Sequence, residues 1–575
     1  MPRISSVAFK GNSAPHLLAD GRHYSESAER MPVRNPATGA VIGNMSVLLP
    51  NSHAVEDLAH WAHIAQECWH WEVQEQEKEV VFRSIIKKLE EHMGPLARTM
   101  TLESGKLWKW AIAEAQEAID TLWHYHGEIS RAYTHDGFTR CQLPDKNAFS
   151  LRIPYGKILK ISPWNFPLAV PMWAVCGALA GGNSIVLKPA EQTPFTMYYV
   201  ACLIHEAINE TISDERMFKL AGLLQIVQGP GETNGKTLLE EFDYDKATFT
   251  GSGNVGKIVA SIAGGRLKPC HLELGGHAAM VVLDDFDIDL AVAEAIAANL
   301  GDSGQRCVSA RVVFVQKSRY KEFLAKYLEH AQARRIGHPM DFKTEMGPLI
   351  SKEQLARVDE MVCTTAEQIG KLPLLGGYPL ISKEGTPRCE ALNVDEDAIS
   401  RGGYYYAPTV FAEVPYGVTA MDEEIFGPVI VINPLEGDTR EQAFWNAVEL
   451  VNASHYGLSN ALLTNDRRFS SRAPGRFKTG LLYIGRGPAG AEVNKYFGGV
   501  KASGWGREGK GLDAWTQIQQ VTDDFHGKAR MAQSGAEAQM KAVFSAERSP
   551  LEDIKNPNAE LYGIGKKKGE RREKK

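Results

Sequence analysis

The sequence has no C-x-x-C pair among its eight cysteines, at positions 68, 141, 176, 202, 270, 307, 363 and 389, and its histidines form no cluster with zinc-ligand spacing. These absences argue against a metal site or a disulfide framework and fit a reducing compartment. Positive charge is not in excess either. With a formal net charge of −6, no global basic field draws the chain to nucleic acid. A long uninterrupted hydrophobic run is also missing. The most apolar stretch, "FPLAVPMWAVCGALAGGNSIVL" (Phe166 to Leu187), is broken by two prolines and by Gly-Gly-Asn. It reads as a buried helix followed by a strand, not as a membrane span. The N-terminal "MPRISSVAFKGNSAPHLLADGRHYSE" lacks an apolar core long enough for a secretory signal, and Asp20 and Glu26 count against a mitochondrial presequence. The expected location is cytoplasmic, with the mitochondrial matrix as the alternative and no membrane association.

What is present is a chain of 575 residues, too long for one core, so two or three packed units are expected. Its content of 43% hydrophobic and 23% charged residues is that of an ordinary globular protein. Residues 54–131 carry apolar side chains at three- and four-residue spacing and read as helical. "FSLRIPYGKILKIS" then suggests two strands joined at Pro154–Gly156. From Asn183 a rhythm of short β-branched runs and helical segments sets in, with strands at "NSIVLKP", "LLQIVQG", "KATFTG" and "PCHLELGG". A second series follows Gly276, with strands at "AAMVVL" and "ARVVFVQ". Strands alternating with helices predict doubly wound α/β units with parallel sheets. The last ten residues, "KKKGERREKK", hold seven basic and two acidic side chains, the composition of a solvated tail.

Open parallel sheets bind ligands at the carboxyl ends of their strands, and several conspicuous segments fall there. "FTGSGNVGK" joins a strand to a helix. It is not a G-x-G-x-x-G in the usual register, but it presents backbone N–H groups and a helix N-terminus suited to a phosphate; a tight βα turn is the plainer reading. "LELGG" places the carboxylate of Glu273 at a strand end beside two glycines, either as a general base or as a salt-bridged structural group. "PWNFP" fixes Asn165 between prolines, as an oxyanion donor or a helix cap. In "GDSGQRCVSARVVFVQ" the thiol of Cys307 sits between a flexible half and a β-branched half. It is either a small buried hydrophobe or a nucleophile held by the strand that follows.

Taken together, "SPWNFP", "LKPAEQTP", "LELGG" followed by "GQRC", "EEIFGPV" and "FGGVKASGWGRE" closely resemble the aldehyde dehydrogenase superfamily, in order and nearly continuously from about residue 30 to 525. The resemblance implies roles residue by residue. Cys307 matches the nucleophile, Glu273 the general base and Asn165 the oxyanion-hole amide. Trp164, Gly229, Gly251 and Ser252 match positions around the dinucleotide, Lys188 and Glu191 those at the adenosine ribose, and Glu424 and Phe426 those at the nicotinamide ribose and ring. The implied reaction oxidises a small-molecule aldehyde to a carboxylic acid through a cysteine thiohemiacetal and thioester, with hydride transfer to a nicotinamide. A carboxylate at the ribose repels a 2′-phosphate, so Glu191 implies NAD in preference to NADP. No metal is implied.

The resemblance also implies an architecture: a dinucleotide-binding domain (1–143 and 158–273), a catalytic domain (274–482), and an oligomerisation element (144–157 and 483–525) that pairs chains into a homodimer or homotetramer. Residues 526–575 remain as a basic, disordered tail. Trp173 is a candidate for the substrate tunnel and Arg486 for a substrate carboxylate. "YIGRGPAGAEVNKYFGG" is similar to the glutamate-semialdehyde (pyrroline-carboxylate) dehydrogenase branch, which implies that substrate as an alternative; Val308, however, stands where that branch has a serine. An alternative of another class is a non-catalytic structural or binding member of the fold.

Overall fold

The computed structural model describes residues 13–14, 29–47, 54–131, 139–140, 146–381, 385–388, 392–509 and 511–525. Cys141, Cys389, the N-terminal segment with Asp20 and Glu26, and the expected basic tail lie outside them. Residues 54–131 form the helices α1 (Ala54–Glu67), α2 (Glu75–Glu91), α3 (Met93–Ser104) and α4 (Trp108–Ile129), with a π-helical turn at Cys68–Glu72.

Two six-stranded sheets follow. The first contains β1 (Lys157–Ile161), β2 (Ser184–Lys188), β3 (Leu224–Ile226), β4 (Lys246–Thr250), β5 (Cys270–Glu273) and, from far along the chain, β12 (Gly504–Trp505), in the order β12-β5-β4-β1-β2-β3. All its pairs are parallel except β5 with β12. The second contains β6 (Ala278–Val282), β7 (Ala310–Gln316), β8 (Thr409–Ala412), β9 (Val429–Leu435), β10 (Ser459–Leu463) and β11 (Leu481–Ile484), all parallel, in the order β8-β9-β7-β6-β10-β11. Helices cover both faces, so the strands read as unbroken apolar runs: every residue of β2, β6 and β7 is buried.

The strand order locates the site. In the first sheet the chain runs outward from β1 through β2 to β3, then returns to β4 on the other side of β1. The crevice between the carboxyl ends of β1 and β4 is the switch point where open sheets take ligands, and the segments that emerge there are "SPWNFP" and "GSG". Only four residues separate Glu273 at the end of β5 from Ala278 at the start of β6. The carboxyl edge of the first sheet therefore meets the amino edge of the second, where the cysteine loop enters β7.

Buried carboxylates set two of the surrounding helices. Glu103 accepts from the backbone N–H of Phe195 (2.8 Å) and Thr196 (3.0 Å) at the start of α6 (Pro194–Thr211). Glu114 accepts from Leu168 (2.8 Å) and Ala169 (3.0 Å) at the start of α5 (Ala169–Ala180). Each satisfies orphan donors of a helix N-terminus and opposes its dipole. The 209–222 segment ends α6 and forms a short turn of helix. Arg216 bonds there to Glu77 (2.7 Å) and Lys219 to Glu72 (2.8 Å).

The chain divides into two compact units, residues 1–133 with 153–517, and 134–152 with 518–575. In the smaller one, the strand Lys146–Pro154 lies between Thr139–Arg140, antiparallel to it, and Thr516–Asp524. Two strands are joined at Pro154–Gly156, Lys146–Pro154 and β1, and they belong to different sheets. Residues 483–517, expected outside the two α/β domains, belong to the large unit, where β12 hydrogen-bonds to β5 and β11 closes the second sheet. Among the described residues no helix is long and apolar enough to cross a membrane, and no group of three His, Cys, Asp or Glu could hold a metal ion.

Candidate active site

The cysteine loop reaches Cys307 through three consecutive left-handed residues, Asp302 (φ 53°), Ser303 (φ 55°) and Gly304 (φ 73°). Two non-glycine residues in this conformation are strained by about 1–3 kcal/mol each, and persist only where the surroundings over-determine them. Here Ser303 Oγ donates to the Gly347 carbonyl (2.7 Å), and the buried guanidinium of Arg311 donates to the carbonyls of Gly304 (2.6 Å), Arg306 (3.1 Å) and Gly427 (3.0 Å). Gly304 is required twice, for its φ and because a Cβ would lie 1.9 Å from the Gly427 carbonyl oxygen. Across the loop, a Cβ on Gly276 would lie 2.3 Å from the Cys307 carbonyl oxygen. Gly276 thus lets the segment after β5 and the cysteine loop pack backbone to backbone.

Cys307, Glu273 and Asn165 line one cavity of about 330 Å³. Asn165 donates one Nδ2–H to the Gln305 carbonyl (2.9 Å); a primary amide carries a second N–H. Gln305 is itself held, its Oε1 accepting from the Ile350 N–H (2.9 Å). Glu273 is buried and its Oε1 lies 2.9 Å from His271 Nε2. Cys307 is half-buried, and its thiol is pushed up to about 12 by burial and then by the charges of Glu424 and Glu273. Glu424 accepts from the Gly276 N–H (3.2 Å); burial pushes its carboxyl up to about 7, with Arg311 acting in the opposite sense.

One wall of the cavity is a buried charge cluster. The Lys106 ammonium bonds Glu114, lies 3.2 Å from Asp302 and sits 3.9 Å over the ring of Phe166. Burial works against that charge, but Asp302 and Glu114 outweigh it and hold Lys106 above its ordinary value. Three parts of the site are tied together in this way: α4, the loop carrying Asn165, and the cysteine loop. Glu117 also faces the cavity and accepts from Trp173 Nε1 (3.1 Å); burial and the charge of Glu114 raise its carboxyl to about 7. Trp173 packs 5.0 Å from Phe497 at an interplanar angle of 54°.

The same cavity continues to Thr250, Gly251 and Ser252. Ser252 caps α7 (Gly253–Gly265), accepting from the Val255 N–H (3.4 Å). A Cβ on Gly251 would meet the Phe249 ring at 2.5 Å, and one on Gly256 would meet Leu274 at 2.4 Å, so the turn and helix lie close on β4 and β5. An uncrowded helix N-terminus at a strand end fits a pyrophosphate. Trp164 and Phe426 stand edge to face at 5.4 Å on this side. Lys188 and Glu191 form a second group outside the cavity lining, paired at 2.8 Å. The Gly231 N–H supports Glu191, and Gly229 (φ 129°) turns the chain towards them. The Lys188 charge outweighs burial and holds Glu191 below the usual carboxylate range. This donor and acceptor set fits the hydroxyls of a ribose.

A cysteine loop, a carboxylate and an amide donor are gathered where a doubly wound sheet takes dinucleotides. Residues 23–521 match the model of the aldehyde dehydrogenase family, to which this chain belongs. It is 32% identical to retinal dehydrogenase 2 of Mus musculus, over 87% of this chain and 89% of the relative. Among solved structures it resembles a betaine aldehyde dehydrogenase of Staphylococcus aureus in complex with NAD+ (26% identity, TM-score 0.80, 90% of this chain and 96% of the other). It also resembles an E. coli NADP dependent enzyme (28% identity, TM-score 0.79, 89% and 98%).

Of the residues anticipated from the sequence, the cavity brings together Cys307, Glu273, Asn165, Trp164, Gly251, Ser252, Glu424, Phe426 and Trp173. Arg486 is not among them: it is exposed, and its guanidinium donates to the Ala489 carbonyl (2.9 Å) and lies over the Tyr483 ring. The charge cluster of Lys106, Glu114 and Asp302, the clamp Arg311, and His271 were not anticipated. His271 had a legible signal, since two residues before Glu273 on a strand is the same face.

Proposed function

We propose that this chain oxidises an aldehyde to its carboxylic acid, with Cys307 as nucleophile, Glu273 as general base, Asn165 as oxyanion donor and NAD as electron acceptor. The observation that supports this best is the convergence of the three side chains on one cavity that runs on to the capped turn at Gly251–Ser252. In the reading we propose, the first sheet binds the dinucleotide and the second carries the cysteine.

The protein alone holds the Cys307 thiol neutral, so attack on the aldehyde carbon requires its proton to leave to solvent as the C–S bond forms. The carbonyl oxygen gains a negative charge and takes hydrogen bonds from the second Nδ2–H of Asn165 and the backbone N–H of Cys307. One such donor is worth about 3 kcal/mol, or roughly 10²–10³ in rate. Bound NAD supplies the hydride acceptor that turns the thiohemiacetal into a thioester. Glu273 then takes a proton from water as its oxygen bonds to the acyl carbon, the C–S bond breaks, and Cys307 leaves as thiolate. Trp173 and Phe497 form the apolar wall against the aldehyde's substituent.

Glu191 supports NAD over NADP, because its carboxylate accepts from ribose hydroxyls and repels a 2′-phosphate. The edge strands Thr139–Arg140 and Thr516–Asp524 support pairing with a second copy, as a homodimer or homotetramer. The test is turnover: a panel of aldehydes with NAD, followed by NADH absorbance. Oxidation of at least one aldehyde is expected; normal NAD binding with no turnover of any would favour a non-catalytic role.

A further inference from the structure

His271, paired with Glu273 beside the cysteine, is used by none of the steps above. His271 and Glu273 stand two residues apart on β5, so their side chains share a face of the sheet. Both are almost fully buried, at 3% exposure each, and Nε2 of the ring lies 2.9 Å from Oε1 of the carboxylate. With Glu273 ionised the carboxylate can only accept, and the contact then requires the proton on Nε2.

A glycine-rich loop packs against one side of both groups. A Cβ on Gly498 (φ 155°) would lie 2.8 Å from Glu273 Oε1, and one on Gly506 (φ 90°) would lie 2.5 Å from His271 Cδ2. The loop "FGGVKASGWG" therefore closes over both side chains at the two places where only glycine fits.

The pair also ends a polar row that crosses the sheet. In register across three neighbouring strands stand Lys160 on β1, Thr248 on β4 and His271 on β5, with Thr250 beside Glu273. Lys160 is fully buried, and its ammonium donates to Thr248 Oγ1 (3.2 Å) and Thr250 Oγ1 (2.9 Å). Charged or titratable groups that face the pair include Cys307 and Glu424 across the cavity, and Arg507, whose Cγ lies 3.0 Å from the same Cβ position on Gly498.

We propose that His271 is a positioning residue for the water-activating step: its Nε2–H donates to Glu273 Oε1, aims the carboxylate at the acyl group on Cys307, and keeps it ionised and ready to take a proton. This rests on the roles proposed above for Cys307 and Glu273. In that step water's oxygen bonds to the acyl carbon while one of its protons passes to Glu273. The C–S bond then breaks with its electron pair going to sulfur, and the acid leaves with the second proton. A hydrogen bond to the ionised form favours that form, so losing the imidazole makes Glu273 a base only at higher pH.

The test uses the full chain without nucleotide and p-nitrophenyl acetate as the probe. Acylation of Cys307 releases a burst of p-nitrophenolate, and the steady rate that follows reads deacylation. For His271→Leu we expect an unchanged burst rate, a steady rate about tenfold lower at pH 7, and an acid limb of the steady rate moved upward by about one pH unit. His271→Gln, which keeps an N–H donor of similar reach, is expected to recover much of both. A burst and steady rate that fall together in both variants, or a steady rate and acid limb that do not move in His271→Leu, overturn the positioning role. Absence of a burst in the wild-type chain, with Cys307 intact, would strike instead at the nucleophile assignment on which the proposal rests.

Discussion

Glu114 is the side chain through which the site's geometry is most exposed to a single change. Replacing it with alanine removes the acceptor of two buried N–H groups, Leu168 and Ala169, and one of the two anions that hold the Lys106 ammonium. Each buried donor left unpaired costs about 1–3 kcal/mol, and breaking a buried ion pair costs about 3–5 kcal/mol. Asp302, 3.2 Å from Lys106, remains as partner and softens the second loss. The contributions share one network and do not add fully, so we expect a total of about 4 kcal/mol. That is a large part of the ~5–15 kcal/mol that holds a typical protein folded. Glu114→Gln keeps an acceptor for the backbone but turns an amide towards Lys106, and should lose about half as much. Urea unfolding followed by tryptophan fluorescence reads the total, and hydrogen exchange at the Leu168 and Ala169 amides reads its location. Asn165 stands three residues before Leu168, so acylation by an aldehyde should slow in the same variants. A Glu114→Ala protein within about 0.5 kcal/mol of wild type, with both amides still protected, would refute the argument that this carboxylate anchors the start of α5.

Three further outcomes are expected. Burial raises the Glu424 carboxyl to about 7; a raised value favours the folded state at acid pH, and that favour is lost as pH climbs through it. Glu424→Gln should therefore be more stable than wild type at pH 8 but not at pH 4.5, and equal urea midpoint differences at the two values would contradict this. Replacing Glu191 with alanine leaves Lys188 without its anion, so NADH should bind about tenfold more weakly, the worth of one hydrogen bond with a charged group, while NADPH binding improves; an unchanged ratio in a fluorescence titration counts against the ribose assignment. With its thiol pushed up to about 12, Cys307 in the nucleotide-free protein should react with iodoacetamide at a rate that climbs steadily from pH 7 to 9, and a plateau inside that range would show that burial and the two carboxylates do not hold the thiol neutral.

The two α/β sheets were legible because strands buried on both faces read as unbroken runs such as "SIVLK" and "AAMVV", punctuated by helices. The convergence of Asn165, Glu273 and Cys307 followed from motifs that end strands or enter them. The partners of those residues were harder to read, since they come from distant segments with ordinary composition. Lys106 and Glu114 look like surface charges on an amphipathic helix until α5 is docked against them. Residues 483–517 read as part of a peripheral β element because short strands such as Gly504–Trp505 carry little periodicity; their place is set by β5, more than 200 residues earlier. Arg486 suggested an anion site by its residue type alone, whereas its direction was fixed by the local Ala489 carbonyl.

The account stands on one covalent bond, between an acyl group and the sulfur of Cys307, and mass spectrometry can observe it. Glu273→Gln protein, mixed with NAD and the aldehyde of the panel that gives most NADH, then quenched and digested, should carry the acyl group on the peptide containing Cys307. Cys307→Ala should carry none and form no NADH. NADH production by the Cys307→Ala protein, or an acyl group found on another cysteine, would contradict the mechanism outright.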